Sequence, residues 1–544
     1  MLYQFYSSKP YFFYLLLVVG LLIYTYSFFV RQNKFTNLFS LLTAFLTLLF
    51  ARIPVILKNA QLNPDESMQL AQALSIVRKA AVFDSWDGNT IGPLDTYLIM
   101  IPYAFGLPLD YSTLHLLAVC FQFAFFFVCF KAIQMFYNQN TAFVATLPVL
   151  IWFVFTQHYD FLHYASELPP ILMLASCTWV YLAFLKAKNT KLWLLFVQGA
   201  LAALIPFAKL QAVPSTFIII AFTILQLWQS SENRAIFFKK IAYLVVGGLS
   251  ILFSITTLTL YWGVFDEMIL YYFEGNLFHE AGGGKDSIFE KILNHFRSTS
   301  DLFELKALVI YLVSITAIAL WQKPRLSLKG SGQLLLFTVT LLSFTLFAIG
   351  KSGFRLYHYN NFLFLPLILL IAIFVQNLNK KSAKNLLITG VTTLLFLFPI
   401  LPQIVQGKEF YAYAYTGRKM QVSDVSKAIL KYAKAGEPLV VWGWMQDYYV
   451  ETQMPQGTND NHAIRCFTYS LVDEHRKRYV ADIIKNEPPV IVDAVAPTSF
   501  MMKEKELYGL DKFPELQKLI NERYVLAETV KGNDIYVIKS RFKK

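Results

Sequence analysis

Charge is scarce in this sequence, and acid scarcest of all. Charged residues make up 15% of its 544 positions, with 35 Asp and Glu against 48 Lys and Arg, where a soluble domain carries about 25%. Cysteine is rarer still, four in all. Cys120, Cys129 and Cys177 fall in apolar runs, so Cys466 stands alone elsewhere and a disulfide framework is excluded. No internal repeat and no low-complexity segment appears. The glycine-rich stretch Gly282-Gly283-Gly284-Lys285 lacks the strand, the spacing and the Ser/Thr of a P-loop. It is expected to be a flexible loop that orders over a substrate. No small-residue cleavage site follows the first apolar run, Tyr11 to Val30, which is long enough to span and ends in Arg31 and Lys34, so a retained helix is expected.

What the chain has in abundance is apolar surface: 56% hydrophobic and 17% aromatic residues, with a mean hydropathy of +0.46. That exceeds the need of one soluble core and points to repeated bilayer crossings. Apolar stretches of spanning length predict about twelve helices, near 11–30, 36–57, 113–136, 141–157, 168–185, 192–208, 212–228, 241–262, 304–321, 333–349, 361–376 and 386–402. Alternate connections (31–36, 137–140, 186–191, 229–240, 322–332 and 377–385) hold 14 Lys/Arg against the single acid Glu232, a surplus equal to the whole net charge of +13. By the positive-inside rule these loops are cytoplasmic. Loops 58–112, 157–167, 263–303 and 350–360 then lie outside, with both termini. The basic surplus meets lipid headgroups and needs no nucleic-acid partner.

Past Pro402 the apolar runs shorten and alternate with charges and turns. Strands are expected at Pro438 to Trp444, Pro489 to Asp493 and Asp534 to Lys539, with helices ending at Asn486 and covering Pro514 to Arg523. The expected architecture is a polytopic α-helical membrane domain, 1–402, followed by a soluble extracytoplasmic α/β domain, 403–544.

The first outer loop opens with Asn63-Pro64-Asp65-Glu66-Ser67 and an amphipathic stretch, Met68 to Val77. Pro64 suits the first turn of a helix, whose amides favour carboxylates there, so the two acids can be simple helix-start residues. A carboxylate held at a membrane surface can also take a proton from an acceptor hydroxyl or amine, which makes Asp65 and Glu66 catalytic candidates. Further on, Trp86, Asp87 and Asp95 are candidates for a sugar pocket, although Trp at a membrane interface is common in any case.

The second outer turn packs His158, Asp160, His163 and Glu167 into eleven residues. With Asp65, His158, Asp160 and His163 can be drawn as ligands for Mn, Mg or Zn, yet the spacing matches no compact zinc signature and no cofactor is required. The alternative is that these side chains complete a polar cleft with Asp65. Cations recur on the same side: Lys209 between two spans, then Lys351, Arg355 and His358 beside Tyr359. Such charges can hold a departing phosphate, or they can snorkel to headgroups.

The Asp-Glu pair after an early span, Gly92-Pro93-Leu94 before the next, Tyr164-Ala165-Ser166-Glu167-Leu168, the turn Arg355-Leu356-Tyr357-His358-Tyr359 and the C-terminal outer domain together resemble the GT-C glycosyltransferases. The likeness is to the bacterial branch of aminoarabinose-lipid A transferases and protein O-mannosyltransferase relatives, and it covers nearly the whole layout. One helix more than usual precedes the Asp-Glu pair. The resemblance implies inverting transfer of a sugar from a polyprenyl-phosphate or polyprenyl-diphosphate donor to a lipid, glycan or protein acceptor outside the inner (plasma) membrane. Carried over by position, Asp65 is the base, Glu66 its support, and Asp160 or Glu167 the second-loop acid. Lys209, Lys351, Arg355 and His358 hold the donor phosphate, and Tyr359 lines the pocket.

Two rival readings follow from other features. An oligosaccharyltransferase moving a preassembled glycan to protein would use a divalent metal at Asp65 and the Asp160 region. A transporter or flippase would carry charges deep in its spans, whereas here most spans are uncharged in the middle and polar groups gather at one face. In the C-terminal domain, Trp442, Trp444, Tyr448 and Tyr449 are either acceptor guides or, as strand aromatics usually are, core.

Overall fold

A computed structural model describes residues 10–26, 34–88, 91–187, 191–279, 287–321, 328–351, 356–377, 419–468 and 471–542. The span expected at 386–402, the 402/403 boundary, Gly282 to Lys285 and Arg355 lie outside the described residues. Among those described, seven helices are long and apolar enough to cross a membrane: Asn37–Lys58, Tyr111–Phe136, Leu168–Lys186, Leu210–Ser230, Arg234–Trp262, Gly332–Lys351 and Tyr357–Gln376. Four shorter apolar helices, Phe13–Tyr26, Gln139–Phe155, Trp193–Ala208 and Leu305–Ser314, stand where the remaining apolar runs predicted them. The chain divides into two compact units, Met1–Leu57 with Ala118–Phe253 and Gly282–Thr416, and Lys58–Leu117 with Ser254–Ala281 and Gly417–Lys544.

The first unit is a helical bundle. Trp193–Ala208 packs on Leu168–Lys186, Val213–Ser230 lies against Leu168–Lys186 and Leu328–Lys351, and Phe364–Asn377 lies along Gln139–Phe155. Small residues set the closest approach: a Cβ on Gly199 would sit 1.9 Å from the Leu244 carbonyl oxygen, and one on Gly247 would sit 2.0 Å from that of Phe196. No larger residue lets those two backbones meet. Trp152 sits edge-on to both Phe161 and Phe364, which pins the second outer turn to the bundle.

The second unit is built on a four-stranded sheet of order β1-β2-β4-β3, with β1 Leu439–Trp442, β2 Val490–Asp493, β3 Tyr524–Val530 and β4 Asn533–Ile538. β1 and β2 run parallel, Leu439 opposite Val490, while β4 is antiparallel to both β2 and β3. The parallel pair is buried at every position, which is why it reads in sequence as unbroken apolar runs. β3 and β4 form a hairpin through Lys531 (φ 51°) and Gly532 (φ 82°), the left-handed pair that matches the twist of adjacent strands.

Helices cover both faces of this sheet. Tyr479 and Ile483 of Val472–Asn486, with Leu516, Leu519 and Ile520 of Pro514–Arg523, pack on one side. Val425, Ala428 and Ile429 of Asp424–Tyr432 and Tyr448 and Tyr449 of Asp447–Thr452 pack on the other, and Ala71 from the first outer loop joins them. That loop contains two helices, Pro64–Arg78 and Pro93–Ala104. The first is buried throughout Glu66 to Ser75, so it is a member of the sheet's own core. Gln456 N–H donates to Ser75 Oγ at 3.0 Å and Asn461 Nδ2 to the Met68 carbonyl at 3.2 Å.

Candidate functional site

In the first unit, three turns between apolar helices converge. The turn after Gln139–Phe155 carries Asp160 in the single-turn helix Tyr159–Leu162, then His163, Ser166 and Glu167. Lys209 follows the Trp193–Ala208 helix in extended backbone, and His358 and Tyr359 lie in the 3-10 helix Tyr357–Leu363. Lys209 is buried at 8% exposure. Its ammonium lies 2.8 Å from Glu167 Oε1, donates to Ser166 Oγ at 2.5 Å, and stands 5.9 Å over the Tyr359 ring.

His358 joins the two acids of the turn. Its Nδ1 is 3.4 Å from Asp160 Oδ2 and its Nε2 3.9 Å from Glu167 Oε1. Burial alone would push the Asp160 carboxyl up, yet the His358 hydrogen bond and the surrounding histidines hold it below the usual carboxylate range. Glu167 behaves alike: burial opposes its charge, and Lys209 and His358 together keep its pKa below normal. Both acids are thus held ionised against their own burial.

Asp160, His163 and His358 each bring one ligand atom within 4.8 Å of the others, a group able to hold a metal ion. His163 Nδ1 lies 2.9 Å from the Tyr159 carbonyl. Donation there fixes the tautomer and turns Nε2 inward, where it is buried without a hydrogen-bond partner among the described residues. His158, expected in the same set, is only partly buried and instead stacks on Tyr159 and Tyr357 at ring distances of 4.6 and 4.1 Å; burial lowers its pKa. Lys351 is the exposed last residue of Leu328–Lys351.

The second unit holds the Asp-Glu pair. Asn63 caps Pro64–Arg78 by accepting from Asp65 N–H at 2.9 Å, and Glu66 closes a capping box. Glu66 Oε2 accepts from the Leu62 and Asn63 amides at 2.7 and 3.2 Å, while Oε1 lies 2.7 Å from His115 Nε2. Glu66 is fully buried and Asp65 is partly exposed. The two neighbours therefore occupy different environments, as adjacent residues on a helix must.

The remaining pocket candidates of this loop are all buried at 0% exposure. Trp86 sits edge-on to Tyr97 at 5.4 Å. Asp95 lies in the first turn of Pro93–Ala104. Asp87 accepts from Arg478 Nη2 at 2.7 Å and belongs to an ion network with Asp460, which accepts from Arg478 at 3.1 Å and lies 2.8 Å from His475 Nδ1. Arg465 is 3.9 Å from both aspartates, and the Arg478 guanidinium lies 3.6 Å from the Tyr271 ring centre.

Sequence reasoning missed this network and missed Arg52. Arg52 is buried near the end of the Lys34–Lys58 helix and donates to the carbonyls of Thr156 and Phe161, each at 3.4 Å. Gln122 Nε2 donates to the Phe161 carbonyl as well, at 2.8 Å. Together they brace the turn that carries Asp160. A lone arginine inside an apolar run was the available signal.

No protein-family model matches the sequence, and no curated protein matches it. Among solved structures, the chain is similar to ArnT from Cupriavidus metallidurans bound to undecaprenyl phosphate, with a TM-score of 0.55 at 12% identity over 94% of this chain and 100% of that one. The apo state of the same protein gives 0.57 at 11% identity over 92% and 99%. A looser likeness, TM-score 0.39 at 10% identity over 92% and 73%, is to an Archaeoglobus fulgidus oligosaccharyltransferase complexed with Zn and sulfate. The fold of this chain is the GT-C fold.

Proposed function

We propose that this chain is a multi-pass membrane glycosyltransferase that moves a sugar from a polyprenyl-phosphate or polyprenyl-diphosphate donor to a lipid, glycan or protein acceptor. We assign the reaction to the extracytoplasmic face of the inner (plasma) membrane, with inversion at the anomeric carbon. The observation that carries this reading is Lys209, a buried ammonium held by Glu167 and Ser166 where the turns between apolar helices meet. A lysine there is costly unless it serves an anion, and a donor with an apolar tail and a phosphate head needs a cation at that depth. The undecaprenyl phosphate bound to the similarly folded ArnT supports a lipid phosphate as that anion.

In the reaction, the acceptor oxygen or nitrogen bonds to the anomeric carbon as the bond from that carbon to the phosphate oxygen breaks. The bonding electrons leave with the polyprenyl phosphate, whose added charge Lys209 and His358 stabilise. The acceptor proton passes to a carboxylate, which we assign to Asp65, the acid of the pair that is not enclosed. Glu66 holds the helix start that presents it.

A second reading, an oligosaccharyltransferase, is favoured by the metal-competent group. Asp160, His163 and His358 suit a divalent ion, their nitrogen and oxygen donors matching zinc or manganese. When bound, such an ion supplies charge neutralisation for the leaving phosphate.

Both are tested with purified protein in lipid nanodiscs, radiolabelled polyprenyl-linked mono- and oligosaccharides and a cell-envelope extract as acceptor. Asp65→Asn is expected to lose about 10²- to 10⁴-fold in transfer with donor binding retained. Equal transfer by the variant removes Asp65 from the chemistry, and an absence of both transfer and donor binding across the panel favours a transporter. Loss of transfer on chelation, restored by Mn or Zn, selects the metal-dependent reading.

A further inference from the structure

Of the four aromatic residues around β1, three are core: Trp442 is 0% exposed, Tyr448 3% and Tyr449 0%. Trp444 differs. It lies beyond the strand and is only partly buried. The cause is Gly443, at φ +129°, where a Cβ would stand 2.9 Å from the backbone carbon of Ala494. Only glycine fits that backbone against the exit of β2, and the turn it permits carries Trp444 out of the interior.

Three segments meet at this point, all within the second unit. The chain after β2 arrives through Phe500, whose N–H lies 3.4 Å from the Trp444 carbonyl, and Ser499, whose Oγ accepts from Trp444 N–H at 3.3 Å. The buried loop 454–465 arrives through Ala463, whose N–H donates to the Gly443 carbonyl at 3.1 Å. His462 of that loop stacks on the Trp444 indole, ring centres 4.7 Å apart and planes 18° apart, and Phe500 closes the other flank edge-on at 5.5 Å. Phe500 and its neighbour Met501 are 51% and 56% exposed. The carboxyl ends of neighbouring parallel strands are where open α/β sheets take ligands.

The polar atoms here are unfinished. His462 is 3% exposed and Asn461 0%, yet His462 Nδ1, Asn461 Oδ1 and the buried Trp444 Nε1 have no hydrogen-bond partner among the described residues. The large majority of buried side-chain polar atoms find a partner in protein or ordered water, and here three that lack one converge on one aromatic rim. The charges nearby are already spoken for: Arg465 and Arg478 face Asp87 and Asp460. Burial, and then the Arg465 charge, lower the His462 pKa to about 4, so its imidazole is neutral. Anions and cations are therefore poorly served, while a donor, an acceptor and a neutral ring beside an aromatic rim suit hydroxyl groups on an apolar ring face.

We propose that the carboxyl ends of β1 and β2 form a binding subsite for a neutral sugar residue, built on Trp444, His462 and Asn461. This site does not depend on the transfer reading, since it is a binding property of the second unit's own residues. Free glycan and the sugar of a lipid-linked donor share the chemistry, and we assign the site to free glycan.

The test is direct binding to the full chain in nanodiscs of free hexose, N-acetylhexosamine and pentose oligosaccharides, with polyprenyl-phosphate-linked sugar as a separate arm. Wild type is expected to bind at least one free oligosaccharide, and Trp444→Leu and His462→Ala to weaken it about tenfold each, the value of one stacking face or one buried hydrogen bond. Lys209→Ala is expected to leave this binding unchanged. Should either variant fail to fold, Trp444→Phe and His462→Gln take its place, with the bound glycan expected to protect Trp444 from oxidation. The proposal is overturned if no free oligosaccharide binds, if variants that melt with the wild type bind equally well, or if binding appears only in the lipid-linked arm.

Discussion

Two clusters of buried charge, one in each unit, are balanced in opposite ways. In the second unit Asp87 and Asp460 face Arg465, Arg478 and His475, and the strongest contacts run through a guanidinium that is packed on Tyr271. Burial opposes the Arg478 charge and the two aspartates more than restore it, while Asp460 is held well below the carboxylate range by His475 and Arg478 against its own burial. Arginine stays charged at any working pH and offers a planar fork that fits its carboxylates. In the first unit the acids face Lys209 and His358, a flexible ammonium and an imidazole that can change protonation. Fixed charges tie segments together; exchangeable charges can release a partner and accept a phosphate. Burial and pairing alone do not distinguish architecture from chemistry, whereas a variant on each side does.

The comparison breaks most visibly at Arg478. Arg478→Ala leaves Asp87 and Asp460 buried with Arg465, 3.9 Å from each, and His475 on Asp460, and the expected loss is about 3–5 kcal/mol of stability, read as a lowered melting temperature of the full chain in nanodiscs. Activity should fall only as far as folded protein does. A variant that melts normally removes the network from its structural role.

Lys209 is the converse case. Lys209→Gln is expected to cost about 10²- to 10³-fold in transfer, the scale of one lost stabiliser of developing charge. Removing its partner too, as in Lys209→Gln with Glu167→Gln, deletes both buried charges and should bring the melting temperature back toward wild type while transfer stays low. Recovery of transfer in the double variant would reduce Lys209 to a counter-ion for Glu167 and sink the phosphate assignment.

The same contrast explains what could be read in advance. Apolar helices were legible because bilayer thickness imposes a run length, and the runs at 168–185 and 192–208 match the helices Leu168–Lys186 and Trp193–Ala208 closely. β1 and β2 were legible as buried runs. β3 was not, because Tyr524–Val530 follows the Pro514–Arg523 helix with no turn residue between them. The helix in the first outer loop was visible, but its burial against the sheet through Ala71 rests on contacts with residues more than 350 positions away, which no local pattern reports. Asn63 and Glu66 carry the spacing of a capping box, a signal that was there to be used. The turn acids were visible as a dense cluster; their pairing, Glu167 with Lys209 and Asp160 with His358, required three separate turns to be brought together.

The smallest predicted effect probes a titratable group that neither cluster enlists. His462 is neutral when folded, its pKa lowered to about 4 by burial and by Arg465, against about 6.5 in an unfolded chain. Between those values the unfolded state binds the proton and the folded state does not, so this residue makes stability rise with pH across that window and withdraws it as pH falls. The shift corresponds to at most about 3 kcal/mol between neutral pH and pH 4. Asp447, Asp482 and Asp493, raised by burial to about 7, 6 and 6, act with the opposite sign over an overlapping range, so the wild-type profile alone mixes the two. His462→Gln separates them: the difference in melting temperature between variant and wild type should change with pH only from about 6.5 downward, moving in favour of the variant as the medium acidifies. A difference that stays constant across that window would mean that folding leaves His462 unshifted, so that the ring beside Trp444 would gain its proton in the folded chain already near about pH 6.5 rather than near pH 4.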